Sequence, residues 1–245
     1  MTDPNSDPSP EELLERALPL AADEEWTPPP GVYYPSRLGY CLRRLYYERT
    51  LGPRASDPGA RVLSAAGKGV HALLEEVLSS AATGVDGLTV ETEVPAGLLL
   101  GEVVLRGRAD AVLEYADGRR VVVEMKTVAK LPETPFRAHR LQLHFYMRVL
   151  SAREGVLVYV DRAHGERRYF REEYNPSFVD EVIARALLLH EHLRRLTPPP
   201  GEPSEWECGI CEYRDVCELE KKVLELVVAS RAGVATSSAG DGATS

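Results

Sequence analysis

The sequence has no run approaching the ~18 consecutive apolar residues of a membrane span, and its first residues are acidic where a secretory signal would be basic. Membrane insertion and export are therefore not expected, and the chain is read as cytoplasmic. Cysteine is scarce, at four in 245 residues. In a reducing compartment so few thiols argue against a disulfide framework and bring metal or redox chemistry forward. Internal repeats are absent. Charged residues at 27% and hydrophobic ones at 44% exclude wholesale disorder, and the length allows one or two domains of ~100–200 residues with a sizeable core.

The formal net charge is −9, but residues 1–30 hold eight acids against Arg16 alone, which leaves the rest of the chain near neutral at −2. Residues 31–75 reverse the sign, with Arg37, Arg43, Arg44, Arg49, Arg54, Arg61 and Lys68 against Glu48, Asp57 and Glu75. Binding follows local potential and not the sum, so an acidic chain of this kind does not exclude a polyanionic partner. For any single arginine here, a solvated helix face is the commoner meaning.

Residues 1–30 read as a mobile, acidic, proline-rich leader in which Glu11–Leu20 could make a short helix. Residues 229–245, almost entirely Ala, Gly, Ser and Thr, read as a disordered tail. Between them a single domain is expected over 31–228. Ser36 is placed to cap a helix through Glu48, and a second helix is expected from Ala65 to Ser80. Strand-like runs follow at Val90–Val94, Val103–Leu113 and Arg119–Lys126, the last two flanking the hairpin signal Asp117-Gly118. Phe136–Leu150 reads as a helix, Gly155–Val160 and Arg167–Arg171 as strands around Gly165, and Asn175 or Ser177 as the start of a long helix ending before Pro198. Helices bracketing a small mixed sheet make an α/β or α+β core.

In Val121-Val122-Val123-Glu124-Met125-Lys126, side chains alternate between faces, so Glu124 and Lys126 lie on the same side of the sheet. The Asp117-Gly118 turn folds the strand carrying Asp110 back against that of Glu124, which brings two carboxylates to one cation. Hard oxygen ligands suit Mg²⁺ or Mn²⁺. Such an ion polarises a phosphoryl oxygen and activates water, while a nearby ammonium stabilises the transition state, a set of parts for phosphodiester hydrolysis. A Glu-x-Lys pair on a strand is more often a surface ion pair worth ~0–1 kcal/mol, yet a strand this valine-rich is expected to be buried, where unpaired charges are costly. His71 can add an imidazole to the same cation, although a lone histidine is more often structural. Gln142 and Tyr146, at i and i+4, share one helix face and could hydrogen-bond a phosphate, steady the lysine or make ordinary polar contacts.

Cys208-x2-Cys211-x5-Cys217, with Cys41 far upstream, uses every cysteine of the chain as a candidate tetrathiolate site for Zn²⁺ or an iron–sulfur cluster. Such a site would clasp the N-terminal helix to the C-terminal segment and contribute to folding free energy. The aromatics nearby, Tyr47 among them, could shield it or stack bases, with Arg43 and Arg44 supplying phosphate contacts.

In order, Cys41, Gly67-x3-His71, Asp110, Glu124-Met125-Lys126, Gln142-x3-Tyr146 and the Cys208-to-Cys217 group resemble the RecB-like branch of the PD-(D/E)xK nucleases, and most closely the CRISPR-associated iron–sulfur exonuclease family. The likeness covers roughly residues 33–220. It implies the restriction-endonuclease-like fold, a [4Fe–4S] cluster on Cys41, Cys208, Cys211 and Cys217, and a divalent metal on His71, Asp110, Glu124 and the main-chain carbonyl of Met125. Lys126 would be the catalytic lysine, with Gln142 and Tyr146 as the trailing motif. Ala109 stands where the motif's name has proline, and Leu42 follows Cys41 where proline is often found. Neither departure removes a ligand. Family members act on DNA ends, often as 5′-to-3′ single-strand exonucleases, some with endonuclease activity, and work beside the CRISPR integrase on new spacers. Related modules serve recombination, repair or phage DNA processing, and a catalytically inactive DNA-binding scaffold is the non-enzymatic alternative.

Overall fold

The computed structural model describes residues 28–54, 58–201 and 205–237. Most of the expected leader with its short helix, and the end of the expected tail, lie outside the described residues. The chain divides into two units, Met1–Glu202 and Pro203–Ser245.

In the first unit the order is β1 (Val32–Tyr33), α1 (Pro35–Leu38), α2 (Leu42–Leu51), α3 (Pro58–Ala82), β2 (Leu88–Leu100), β3 (Val103–Tyr115), β4 (Arg120–Val128), α4 (Arg137–Val149), β5 (Glu154–Asp161), β6 (Arg167–Glu173) and α5 (Pro176–Arg195). The strands form one mixed six-stranded sheet in the order β1-β3-β4-β5-β6, with β2 also on β3. β1 and β3 run parallel, as do β4 and β5, and the remaining pairs are antiparallel. The long strand β3 takes β2 along one edge, while its other edge takes β1 at Val104–Leu105 and β4 only from Ala111 to Glu114. The ladder therefore forks between those contacts.

β4 is internal and covered on both faces, which is why its valines run without polar interruption. On one face Ala111, Val123, Met125, Val158 and Val160 pack with Leu78 of α3. On the other, α4 lies so close that a side chain at Gly155 would meet Leu143 and Met147 within about 3 Å. The α5 helix starts as its sequence indicates, with the Ser177 N–H donating to Asn175 Oδ1 at 3.0 Å.

The helix expected from Ser36 to Glu48 is instead two helices broken at Gly39–Cys41. Arg185 of α5 donates to the carbonyls of Leu38 and Tyr40, taking acceptors a continuous helix would need. Gly39 also lies hard against α4, where a Cβ would come within 2.4 Å of Ala138 Cα. In the second unit α6 (Glu205–Gly209) leads through a tight turn into α7 (Arg214–Ser237). That helix runs through Ala229 to Ser237.

Candidate active site and metal centre

Asp110 and Glu124 stand opposite each other one step beyond the last paired residues, Ala111 and Val123. There the ladder gives way to a side-chain bond, as the Met125 N–H donates to Asp110 Oδ2 at 2.6 Å. The N–H and C=O of one strand residue leave on the same edge, so the Met125 carbonyl also faces the fork. Two carboxylates and a carbonyl thus meet where β3 and β4 separate.

Glu124 is 1% exposed. Its Oε1 accepts from Lys126 Nζ at 2.6 Å and Gln142 Nε2 at 2.5 Å, and its Oε2 is buried with no partner among the described residues. A buried oxygen left this way is costly unless something outside the protein satisfies it. Burial, with the Asp110 charge adding to it and Lys126 opposing it, pushes the Glu124 carboxyl up to about 7. For Lys126, burial disfavours the ammonium, but Glu124 and Asp110 outweigh it and hold the group charged. A divalent cation beside Oε2 would relieve both the orphaned oxygen and the repulsion between the carboxylates. The donor set fits such an ion.

From α3, His71 Nδ1 comes to 3.6 Å of Asp110 Oδ2. Glu75 joins them, since His71, Glu75 and Asp110 each offer a ligand atom within 4.8 Å of the others. Sequence reasoning missed Glu75. The available signal was its i+4 spacing from His71, which puts both on one face of a helix. Burial, with the neighbouring Glu93 and Asp110, raises its carboxyl. Glu93 falls between Thr92, paired with Ala111, and Val94, paired with Ala109, and has a backbone φ of 53° that a non-glycine residue seldom adopts.

Gln142 links the carboxylates to Tyr146, its Nε2 lying 3.4 Å from the phenol oxygen. Tyr146 is 2% exposed and fills the fork against β3. The approach requires Gly107, because a Cβ there would sit 2.3 Å from the Tyr146 oxygen. On the other side of Lys126, His139 bonds the hydroxyls of Tyr159 at 2.8 Å and Tyr40 at 3.2 Å. Burial, helped by the Lys126 charge, pushes this imidazole down to about 3, so it stays neutral.

Cys41 stands at the start of α2 in the first unit, and Cys208, Cys211 and Cys217 follow one another through α6, the turn and α7 of the second. That turn is hydrogen-bonded from the Arg214 N–H to the Cys211 carbonyl at 3.2 Å and from the Cys217 N–H to the Tyr213 carbonyl at 3.0 Å. Of the DNA-contact candidates, Tyr47 is 5% exposed and packs edge-on to Tyr46. Arg43 spends its Nε on the Pro199 carbonyl at 2.8 Å, and Arg44 is half-buried. Among the described residues no helix is long and apolar enough to cross a membrane.

Comparison with known proteins gives three findings. The family model of the PD-(D/E)XK nuclease superfamily matches residues 80–218. It encloses Asp110, Glu124, Lys126, Gln142, Tyr146 and the three C-terminal cysteines, and starts beyond Cys41 and His71. The CRISPR-associated exonuclease Cas4 of Saccharolobus solfataricus is 29% identical over 185 residues, 75% of this chain and 86% of that protein. The crystal structure of SSO0001 superposes with a TM-score of 0.62 at 25% identity, covering 84% of this chain and 95% of that one.

Proposed function

The chain belongs to the PD-(D/E)XK nuclease superfamily, and from that premise we propose that it is a divalent-metal-dependent DNA exonuclease. In this reading it degrades single-stranded DNA from the 5′ end, cuts internally at times, and processes spacer precursors for CRISPR adaptation beside the integrase. The similarity to the CRISPR-associated exonuclease of Saccharolobus solfataricus supports the exonuclease and CRISPR parts. One observation carries the chemistry: the fork sets Asp110 and Glu124 face to face with Glu124 Oε2 unsatisfied in a buried site.

His71, Asp110, Glu124 and the Met125 carbonyl would hold Mg²⁺ or Mn²⁺, which when bound supplies Lewis acidity toward a phosphoryl oxygen and lowers the pKa of water. The chain's own groups do the rest. The Met125 N–H fixes the Asp110 carboxylate, and Lys126 with Gln142 holds Glu124 Oε1, so Oε2 is the oxygen left for the ion. The Lys126 ammonium orients the attacking water and offsets charge as it builds on the phosphoryl oxygens. The water oxygen bonds to phosphorus and gives up a proton to solvent, one P–O ester bond breaks, and the departing oxygen takes a proton from solvent. Tyr146 and Gln142 position Glu124 and keep the fork open.

Cys41, Cys208, Cys211 and Cys217 would hold the [4Fe–4S] cluster, a clasp between chain ends whose binding contributes to folding. The four thiols of C-x2-C-x5-C plus Cys41 suit that group chemically.

The test is Mn²⁺-dependent degradation of end-labelled single-stranded DNA, with either end labelled to read polarity. Wild-type protein should release labelled nucleotides and Lys126→Ala should fall by about 10²-fold or more. Equal activity in Lys126→Ala, with the fold intact, would remove that lysine from the mechanism. No cleavage of any DNA in Mn²⁺ would leave the binding scaffold as the reading.

A further inference from the structure

The approach to Asp110 is a trough of about 720 Å³ in the first unit. It is lined along the β2–β3 ribbon by Pro95, Ala96 and Gly97 of β2 and by Arg106, Gly107 and Arg108 of β3. The register sets Pro95 across from Arg108 and Gly97 across from Arg106, and Glu93 lines the same trough. Residues two apart on a strand share a face, so β3 presents Arg106, Arg108 and Asp110 in line at steps of about 6.7 Å. Pro95 and Gly97 keep the β2 side of the trough low. At the far end Tyr34 forms the wall, with Arg106 Nε donating to its hydroxyl at 3.1 Å and the guanidinium carbon 5.7 Å from its ring centre. At the near end stand Gln142 and Tyr146, beside the carboxylates.

We propose that this trough is the track of the substrate's single strand. The phosphate to be cut lies at Asp110, the next two lie on Arg108 and then Arg106, and a base stacks on Tyr34. This deepens, and rests on, the nuclease reading above. Two cations in line on a strand face, followed by a carboxylate centre, offer successive sites to a chain with one negative charge per nucleotide. A positive groove ending in an aromatic ring is the usual means of holding single strands without reading sequence. The cutting groups sit beside the trough, where Asp110 is 9% exposed and Glu124 1% exposed.

Glu93 gives the track a regulator. Its carboxylate pairs with Arg108 at 2.7 Å, and the pair is open to solvent, with side-chain exposures of 68% for the arginine and 42% for the glutamate. A pair so exposed is weak, so an arriving phosphate displaces Glu93 at little cost. Until then Glu93 occupies the position and weakens attraction for stray anions.

The experiment is fluorescence anisotropy of a labelled oligothymidylate in EDTA, which keeps it uncut, across a salt series on the full chain. Each phosphate contact on a single strand contributes a slope of about −0.7 in log K against log salt. Arg106→Gln/Arg108→Gln should therefore flatten the slope by about 1.4 and weaken binding at low salt. Tyr34→Leu should lower affinity by about five- to a hundredfold with the slope unchanged. Should that variant fail to fold, Tyr34→Phe, which keeps the ring, should bind like wild type. Glu93→Gln should act in the opposite direction and tighten binding. If wild type degrades DNA in Mn²⁺ while the double arginine variant keeps its affinity and slope, the track is wrong and the nuclease reading survives. If wild type neither binds nor cuts single strands, both fall.

Discussion

The buried carboxylate of Glu124 makes stability depend on pH in a direction that most carboxylates do not. Its folded value is raised from 4.5 to about 7, chiefly by burial. A group raised in this way contributes fully below its unfolded value, and the contribution is lost as pH climbs through the folded one. Between pH 4.5 and 7 the metal-free protein should therefore lose on the order of 3 kcal/mol from this residue alone. Glu124→Gln removes the titration. Its amide oxygen can still accept from Lys126 and Gln142, while its NH₂ lies where Oε2 had no partner, an unsatisfied donor costing about 1–3 kcal/mol at every pH. The offset is constant and the slope is the readout.

The assay is urea unfolding of both proteins in EDTA at pH 5 and pH 8. Wild type should lose about 3 kcal/mol relative to the variant across that interval, and the loss should reverse when Mn²⁺ is added at pH 8. At a hundredfold excess over its Kd a single ion restores about 2.7 kcal/mol, and it should not do so in Glu124→Gln. Metal affinity should fall below pH 7 by up to about tenfold per pH unit, as the ion competes with a proton for Oε2. A difference between the two proteins that stays flat from pH 5 to 8 would refute the claim that ionising Glu124 carries a cost in the metal-free site that a cation relieves.

Two further outcomes follow from the same site and from the cysteines. Gly107→Ala places a methyl 2.3 Å from the Tyr146 oxygen, and overpacking of this kind costs about 1–3 kcal/mol. Pairing it with Tyr146→Phe should recover part of the loss in a double-mutant cycle of thermal melts, and strict additivity would mean that the two do not share the space. Protein purified without oxygen should be brown, and Cys208→Ala should lose colour and melting temperature together. A colourless preparation holding one zinc per chain would count against the cluster.

The sequence displays those parts of the site whose causes are local. Alternation along β4 alone puts Glu124 and Lys126 on one side, and the two groups lie 2.6 Å apart. Gly118, at φ 80°, closes a short loop centred on Asp117, and that symmetry sets Asp110 across from Glu124, each seven residues from the centre. What stays hidden depends on partners far along the chain. The break at Gly39 is made by Arg185, and nothing near Gly39 announces a guanidinium that lies 147 residues beyond Leu38. Tyr47 carries the composition of a stacking residue, and only the packing of α2 reveals it as core. Arg106 and Arg108 read as ordinary charged positions of a strand. Their meaning comes from the fork: because β4 stops pairing at Ala111, the β3 face that a wider ladder would have crowded with neighbours is left as an open trough leading to the carboxylates. The same break in pairing frees the Met125 N–H for Asp110. One interruption in a sheet thus makes both the place where a cation can sit and the path by which a phosphate can reach it.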